Sequence, residues 1–125
     1  MLNGLIFVML GGALGAGLRY GLSVWALQAL GAGFPWGTLI VNLIGGLLMG
    51  LLAGAVLREG PGIPVHLLIG TGILGGFTTF SAFSLETAAL VEGAQIGMAL
   101  VYALASVIGS VLLLFMGLWL GRAVA

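Results

Sequence analysis

The sequence predicts an all-α integral membrane protein with four transmembrane helices and a break in the third. Of its 125 residues, 62% are hydrophobic and 5% are charged, and its mean hydropathy is +1.34, which lies well outside the range of soluble domains. Glycine, proline and charged residues collect at 31–35, 58–64 and 92–93 and separate four long apolar runs. A stretch rich in glycine and hydroxyl residues, Gly75 to Ser84, interrupts the third run.

We predict one membrane domain, residues 1–125, with helices at about 2–30, 36–57, 65–91 and 95–120. The second run has about 22 residues, and at about 1.5 Å of rise per residue it matches a hydrocarbon core of about 30 Å with slight tilt. Trp25, Trp36 and Trp119 are candidates for the aromatic belts at the membrane interfaces.

Glycines recur at helical spacing in the first, second and fourth runs. The glycine pairs or triplets spaced by four are Gly11 and Gly15, Gly17 and Gly21, Gly46, Gly50 and Gly54, and Gly117 and Gly121. Such spacing lets helix backbones approach closely in lipid, so it predicts a tightly packed bundle.

The first run also contains one cation, Arg19. An arginine near the bilayer centre costs about 2.5 kcal/mol or more, so Arg19 should point inward or extend to an interface, in a functional or a structural role.

The second run contains one strongly polar residue, Asn42. A buried amide in hydrocarbon needs partners from other helices or from water. Asn42 is therefore either a link between helices or part of a pore lining.

The third run contains the feature that most strongly suggests a function. Paired glycines followed by hydroxyl residues predict a local helix break that faces protein, water or an ion. Phe80 and Phe83 are three residues apart and share a helix face. The nearby hydroxyl residues are Thr78, Thr79, Ser81 and Ser84. Since ring edges carry the positive side of the aromatic quadrupole, these residues together can replace water around a small anion, whereas a cation would prefer ring faces. Hydrophobic packing is the alternative role for both rings.

The fourth run has Tyr102, Ser106 and Ser110 at spacings of four, which draws a polar stripe along an otherwise apolar helix. Such a stripe can line a pathway. The alternative is that each serine bonds back to a carbonyl one turn earlier in its own helix.

The ionisable residues are few, and they disfavour most other functions. They are Arg19, Arg58, Arg122, Glu59, Glu86, Glu92 and His66. Without cysteine there are no disulfides or thiolate metal sites, and no arrangement of these residues suggests an enzyme. A formal net charge of zero offers no electrostatic reason to bind nucleic acid. Glu86, near the end of the third crossing, is read as solvated or paired, with a place on a pathway as the alternative.

The orientation of the chain in the membrane is weakly specified. Four crossings place Arg58 and Arg122 on one side and Arg19 nearer the other, so the bias of positive charge is small. A chain that inserts both ways can form an antiparallel, dual-topology homodimer, which we adopt as a hypothesis.

Taken together, these residues resemble the Fluc (CrcB-type) fluoride channels. The resemblance spans nearly the whole chain and rests on Gly12 to Tyr20, Gly37 to Gly45, Gly75 to Ser84 and the stripe in the fourth helix. It implies an antiparallel homodimer in a bacterial-type plasma (inner) membrane, with two pores that export fluoride passively and give resistance to its toxicity.

The resemblance also implies roles for single residues. Phe80 and Phe83 match a box of phenylalanines whose edges meet fluoride, and Asn42 matches a pore-lining asparagine. The remaining residues expected along the fluoride pathway are Thr79, Ser81, Tyr102, Ser106 and Ser110. Backbone carbonyls of Gly75 and Thr78 from both subunits would hold a structural Na⁺ ion at the dimer centre, and no organic cofactor is expected.

The main alternative is a small dual-topology, proton-coupled multidrug transporter. That mechanism needs a carboxylate embedded in the membrane, and Glu86 lies too near a helix end to serve easily as a shared central site. A non-transporting assembly subunit is a further alternative, but it would have no use for the polar stripe.

Overall fold

A computed structural model describes residues 1–56 and 65–125. Its elements are α1 Leu2–Leu30, α2 Trp36–Ala55, a π-helical segment His66–Leu74, α3 Gly75–Phe77, α4 Phe80–Glu92 and α5 Ile96–Val124. Among these described residues, four helical stretches are long and apolar enough to cross a membrane: Leu2–Leu30, Trp36–Ala55, His66–Glu92 and Ile96–Val124. We call His66–Glu92 the third span. The prediction of an all-helical fold with four membrane-crossing helices is confirmed for the part of the chain that the structure describes.

The observed helix bounds lie close to the predicted ones except at the end of α5. That helix continues to Val124, because its last turns still pack on α2: a Cβ added at Gly121 would collide with the Leu51 carbonyl oxygen. The predicted end of the second helix at residue 57 and the 58–64 loop lie outside the described residues, as does Arg58 in the orientation argument.

Glycines create the two most extensive helix interfaces, α2 with α5 and α1 with the third span. A Cβ at Gly15 would overlap the Ile73 carbonyl oxygen, and one at Gly50 would overlap that of Leu114. The predicted contact faces are confirmed at Gly11 and Gly15, at Gly46, Gly50 and Gly54, and at Gly117 and Gly121.

Gly17 and Gly21 are different, since a Cβ at either would meet nothing within 4 Å in the single chain. The physical reason is helical periodicity. Gly17 follows Gly15 by two residues, which turns it about 200° around α1 and away from the third span.

The third span changes conformation along its length. Residues His66–Leu74 form a π-helix, and the Gly75 N–H donates to the carbonyl of Gly70. After α3 the backbone is extended at Thr78, with φ −81° and ψ 157°, and at Thr79, with φ −151° and ψ 123°. The Thr79 hydroxyl oxygen then accepts a hydrogen bond from the Ala82 N–H at 3.1 Å and caps the start of α4. We call Thr78 and Thr79 the extended pair.

Candidate functional site

A groove of about 370 Å³ lies between α2, the extended pair, α4 and α5. Six residues predicted for an ion pathway line it: Asn42, Thr79, Phe80, Phe83, Ser106 and Ser110. Thr78 lines it as well, together with apolar side chains such as Met49 and Leu114. Three helical spans of the chain therefore bring polar residues that are distant in sequence to one surface.

Asn42 holds the second residue of the extended pair by both of its backbone groups. Its amide Nδ2 donates to the Thr79 carbonyl at 2.9 Å, and its Oδ1 accepts from the Thr79 N–H at 2.8 Å. These are the backbone groups that a continuous helix would satisfy internally. Asn42 thus links two spans and lines the groove at the same time, so the two roles proposed from sequence are not exclusive.

Ser106 and Ser110 have hydroxyl oxygens that are buried and have no hydrogen-bond partner in the part of the chain that the structure describes. Elsewhere hydroxyl residues do bond back to their own helix, with Ser84 donating to the Phe80 carbonyl at 2.9 Å and Thr87 to that of Phe83 at 2.7 Å. A buried hydroxyl without a partner costs about 1–3 kcal/mol. Both hydroxyls lie along one groove, and each has a hydrogen left to donate.

Aromatic rings continue from the groove into the bundle. The ring centroids of Phe80 and Phe83 are 5.5 Å apart, and those of Phe83 and Tyr102 are 5.2 Å apart. The Tyr102 ring, which is fully buried, then meets Phe34 edge to face at 5.5 Å. Phe80 is at the other end of this row and is 77% exposed in the single chain.

Glu86 accepts two hydrogen bonds at the far end of the aromatic row. Tyr102 donates to one carboxylate oxygen at 2.7 Å, and Thr38 donates to the other at 2.8 Å. Thr38 and Glu86 also line a second cavity, of about 510 Å³, beside residues 31–35. Tyr102 contacts Phe83, which lines the groove, and Glu86, which lines the second cavity. It therefore lies between the two.

Sequence reasoning missed Thr38 and Phe34 in this cluster. Thr38 precedes Asn42 by four residues, so it lies on the same face of α2, and that spacing was a usable signal. Phe34 lies outside the helices, next to Pro35, and no sequence pattern predicted its contact with Tyr102.

Three further predicted residues lie outside the groove. Arg19 is half-buried on α1, and its Nε donates to the Gly76 carbonyl at 3.0 Å. Ser81 is exposed, with its hydroxyl 3.2 Å from that of Thr79. Gly75 is exposed on the third span. Among the described residues, no group of three or more His, Cys, Asp or Glu side chains could hold a metal ion.

The sequence that forms this groove matches a known protein family. The family model described as "CrcB-like protein, Camphor Resistance (CrcB)" matches residues 6–118. The chain belongs to the CrcB-like family. The matched region contains α2, the third span and the site residues of α5, so the groove and the second cavity lie wholly within it.

Similar CrcB-like proteins carry a functional name. A protein of Novosphingobium aromaticivorans, named "Fluoride-specific ion channel FluC", is 52% identical over 121 residues, covering 95% of this chain and 96% of that protein. Proteins of the same name from Chelativorans sp. and Thermus thermophilus are 53% identical over 121 residues and 49% identical over 118 residues. They cover 96% and 94% of this chain and 97% and 93% of their own lengths. This CrcB-like chain is a multi-pass membrane protein.

Proposed function

We propose that the chain forms a passive, fluoride-selective channel that lets fluoride leave a bacterial cell across its inner membrane. The observation that best supports this function is the pair of buried, unpartnered hydroxyls of Ser106 and Ser110 in the groove that also contains Phe80, Phe83 and Asn42. The name shared by relatives that are about half identical to this chain supports the choice of ion.

The groove meets the requirements of a small, strongly hydrated anion. Hydroxyl and amide donors together with the edges of Phe80 and Phe83 can replace water around it. Within residues 1–56 and 65–125, no arginine or histidine lines the groove, and the guanidinium of Arg19 bonds to Gly76 instead. Many weak donors without a fixed cation allow an ion to enter and also to leave, which conduction requires.

The path continues past Phe83 and Tyr102 to the second cavity. Glu86 would repel an anion directly, but it holds the hydroxyls of Tyr102 and Thr38 at the point where the path reaches that cavity. We therefore assign Glu86 the role of positioning these two side chains. Each hydroxyl has one hydrogen and donates it to Glu86, so we expect an ion that arrives from the serines of α5 to be bound there only when one of these bonds opens.

We further propose that the working unit is an antiparallel, dual-topology homodimer with two pores. Gly75, Phe80 and Ser81 are exposed in the single chain and lie next to extended backbone within a membrane span. Irregular backbone at this depth is tolerated only against protein or water. A second copy covering this face would provide that protein surface. Residue-specific labelling should then modify the same residue from both sides of the membrane. Labelling from one side only would contradict dual topology.

The expected structural Na⁺ ion is compatible with the groups near the extended pair. No described hydrogen bond engages the Thr78 carbonyl oxygen, and Gly75, three residues earlier, begins the short helix α3 just before the extended pair. Carbonyl oxygens suit a hard cation. Gly75 and Thr78 of both copies would hold the ion, and when bound it would supply positive potential beside the path. The purified dimer should melt at a lower temperature when a large organic cation replaces Na⁺.

Liposome efflux tests the proposed function directly. The purified protein is reconstituted, and the loss of internal fluoride and chloride is recorded with ion-selective electrodes. Rapid loss of fluoride with negligible loss of chloride is the expected result. A folded, inserted dimer that releases neither ion, or both at equal rates, would refute a selective fluoride channel.

A further inference from the structure

Two residues of α2, three positions apart, each contact one member of the extended pair. Asn42 holds Thr79 through its two hydrogen bonds. Gly45 is buried against Thr78, and a Cβ added to Gly45 would overlap the Thr78 methyl carbon, Cγ2. One face of α2 therefore contacts the extended pair at both residues.

The Thr78 side chain is constrained on both of its branches. Its hydroxyl donates to the Leu74 carbonyl at 3.0 Å, and its own backbone N–H donates to the same carbonyl at 3.0 Å. With the hydroxyl turned toward Leu74, the methyl occupies the space beside Gly45. Threonine is stiff at χ1, so the methyl cannot move aside without breaking the bond of the hydroxyl.

We propose that Gly45 is a positioning residue for the extended pair. Because Gly45 has no side chain, the methyl of Thr78 fits against α2, and this contact sets the direction of the Thr78 carbonyl and the point at which α4 begins. The consequence for conduction rests on the proposed function, since α4 begins with Phe80 of the groove.

The contact of Gly45 differs in kind from those of Gly50 and Gly54, which lie further along α2. A Cβ at Gly50 or Gly54 would collide with the carbonyl oxygens of Leu114 or Leu118. No single side-chain change can remove a backbone oxygen. The obstacle at Gly45 is one methyl group, and the substitution of Thr78 by serine removes that methyl while keeping the hydroxyl that bonds to Leu74.

This difference defines the experiment. Gly45→Ala, Thr78→Ser and the double variant are reconstituted beside the parent, and fluoride efflux and the melting temperature of the dimer are measured for each. Gly45→Ala should lower efflux by about tenfold or more, and adding Thr78→Ser should restore it to within about threefold of Thr78→Ser alone. The matched control is Gly50→Ala, whose defect Thr78→Ser should leave unchanged.

Each remaining outcome counts against the proposal or separates it from the proposed function. Parental efflux in Gly45→Ala, or a Gly45→Ala defect that Thr78→Ser does not relieve, would overturn the role of Gly45. If Gly45→Ala fails to fold, recovery of a folded dimer by Thr78→Ser supports the proposal, and failure to recover it refutes it. If the parent conducts no fluoride, the channel proposal fails, and the same rescue measured in melting temperature still decides the role of Gly45.

Discussion

The glycine-packed interfaces and α4 are held in place by opposite kinds of contact. Where α1 meets the third span and α2 meets α5, glycines bring backbone against backbone. In α4 no residue is fully buried. Its position depends on a few side-chain hydrogen bonds and ring contacts, including those of Glu86 and Phe83. In this chain, close contacts between helix backbones form the scaffold, and α4, which has few contacts, contributes the rings of the site.

This comparison predicts that changes in α4 alter conduction more than stability, and that changes in the glycine-packed interfaces alter stability first.

Phe80→Ile or Phe83→Ile should reduce fluoride efflux by at least about tenfold, because isoleucine has no ring edge to offer an anion. The melting temperature of the dimer should change little, since neither ring is fully buried. Phe115→Ile is the matched control, because Phe115 is 63% exposed on α5 and does not line the groove. Parental efflux in both test variants would refute the role of the rings.

Gly15→Ala should destabilise the fold by about 1–3 kcal/mol, as is typical of overpacking, because its Cβ would collide with the backbone of the third span. Gly17→Ala in the same helix would meet no atom of its own chain within 4 Å and should destabilise the protein less. Thermal unfolding of the purified protein in detergent compares the two. Equal losses of stability would show that the contact faces have been misassigned.

Glu86→Gln should lower efflux by roughly twofold to tenfold, because an amide keeps only one acceptor oxygen for two hydroxyl donors, and one hydrogen bond contributes about 0.5–1.5 kcal/mol. Tyr102→Phe removes one of the same bonds and should have a similar effect. Glu92→Gln is the control, since Glu92 is exposed at the end of α4. If Glu86→Gln conducts like Glu92→Gln, Glu86 does not position the path.

Ala82→Thr should have the smallest effect, a change in efflux of about twofold without loss of selectivity against chloride, as expected for a substitution away from the main contacts. Ala82 does not line the groove, but its N–H bonds to the Thr79 hydroxyl, so an added hydroxyl acts only through that neighbour. Electrode recordings of both ions test this expectation. An unchanged rate would leave position 82 without influence on the path.

Much of the fold could be predicted because a bilayer restricts the possibilities. Each apolar run must satisfy its own backbone hydrogen bonds, so length and composition indicated a helix and its approximate ends. Glycine spacing identified the contact faces at Gly50 and Gly117, whereas Gly17 meets no neighbour within the single chain, because spacing does not tell which face of a helix meets a neighbour or whether that neighbour belongs to a second copy. In the candidate site, Asn42, Phe80, Phe83 and Ser106 were selected by residue type and by resemblance, and all four line one groove.

Local composition and helical period are enough to predict the four membrane-crossing helices, the hydroxyl-rich stretch of the third and the polar stripe of α5. They do not predict that Thr38 and Tyr102 share Glu86, that both polar groups of Asn42 engage Thr79, or that Gly45 faces the methyl of Thr78. These contacts join residues from different spans. Their partners depend on how each helix is rotated and how deeply it lies, and close packing of the whole bundle sets both.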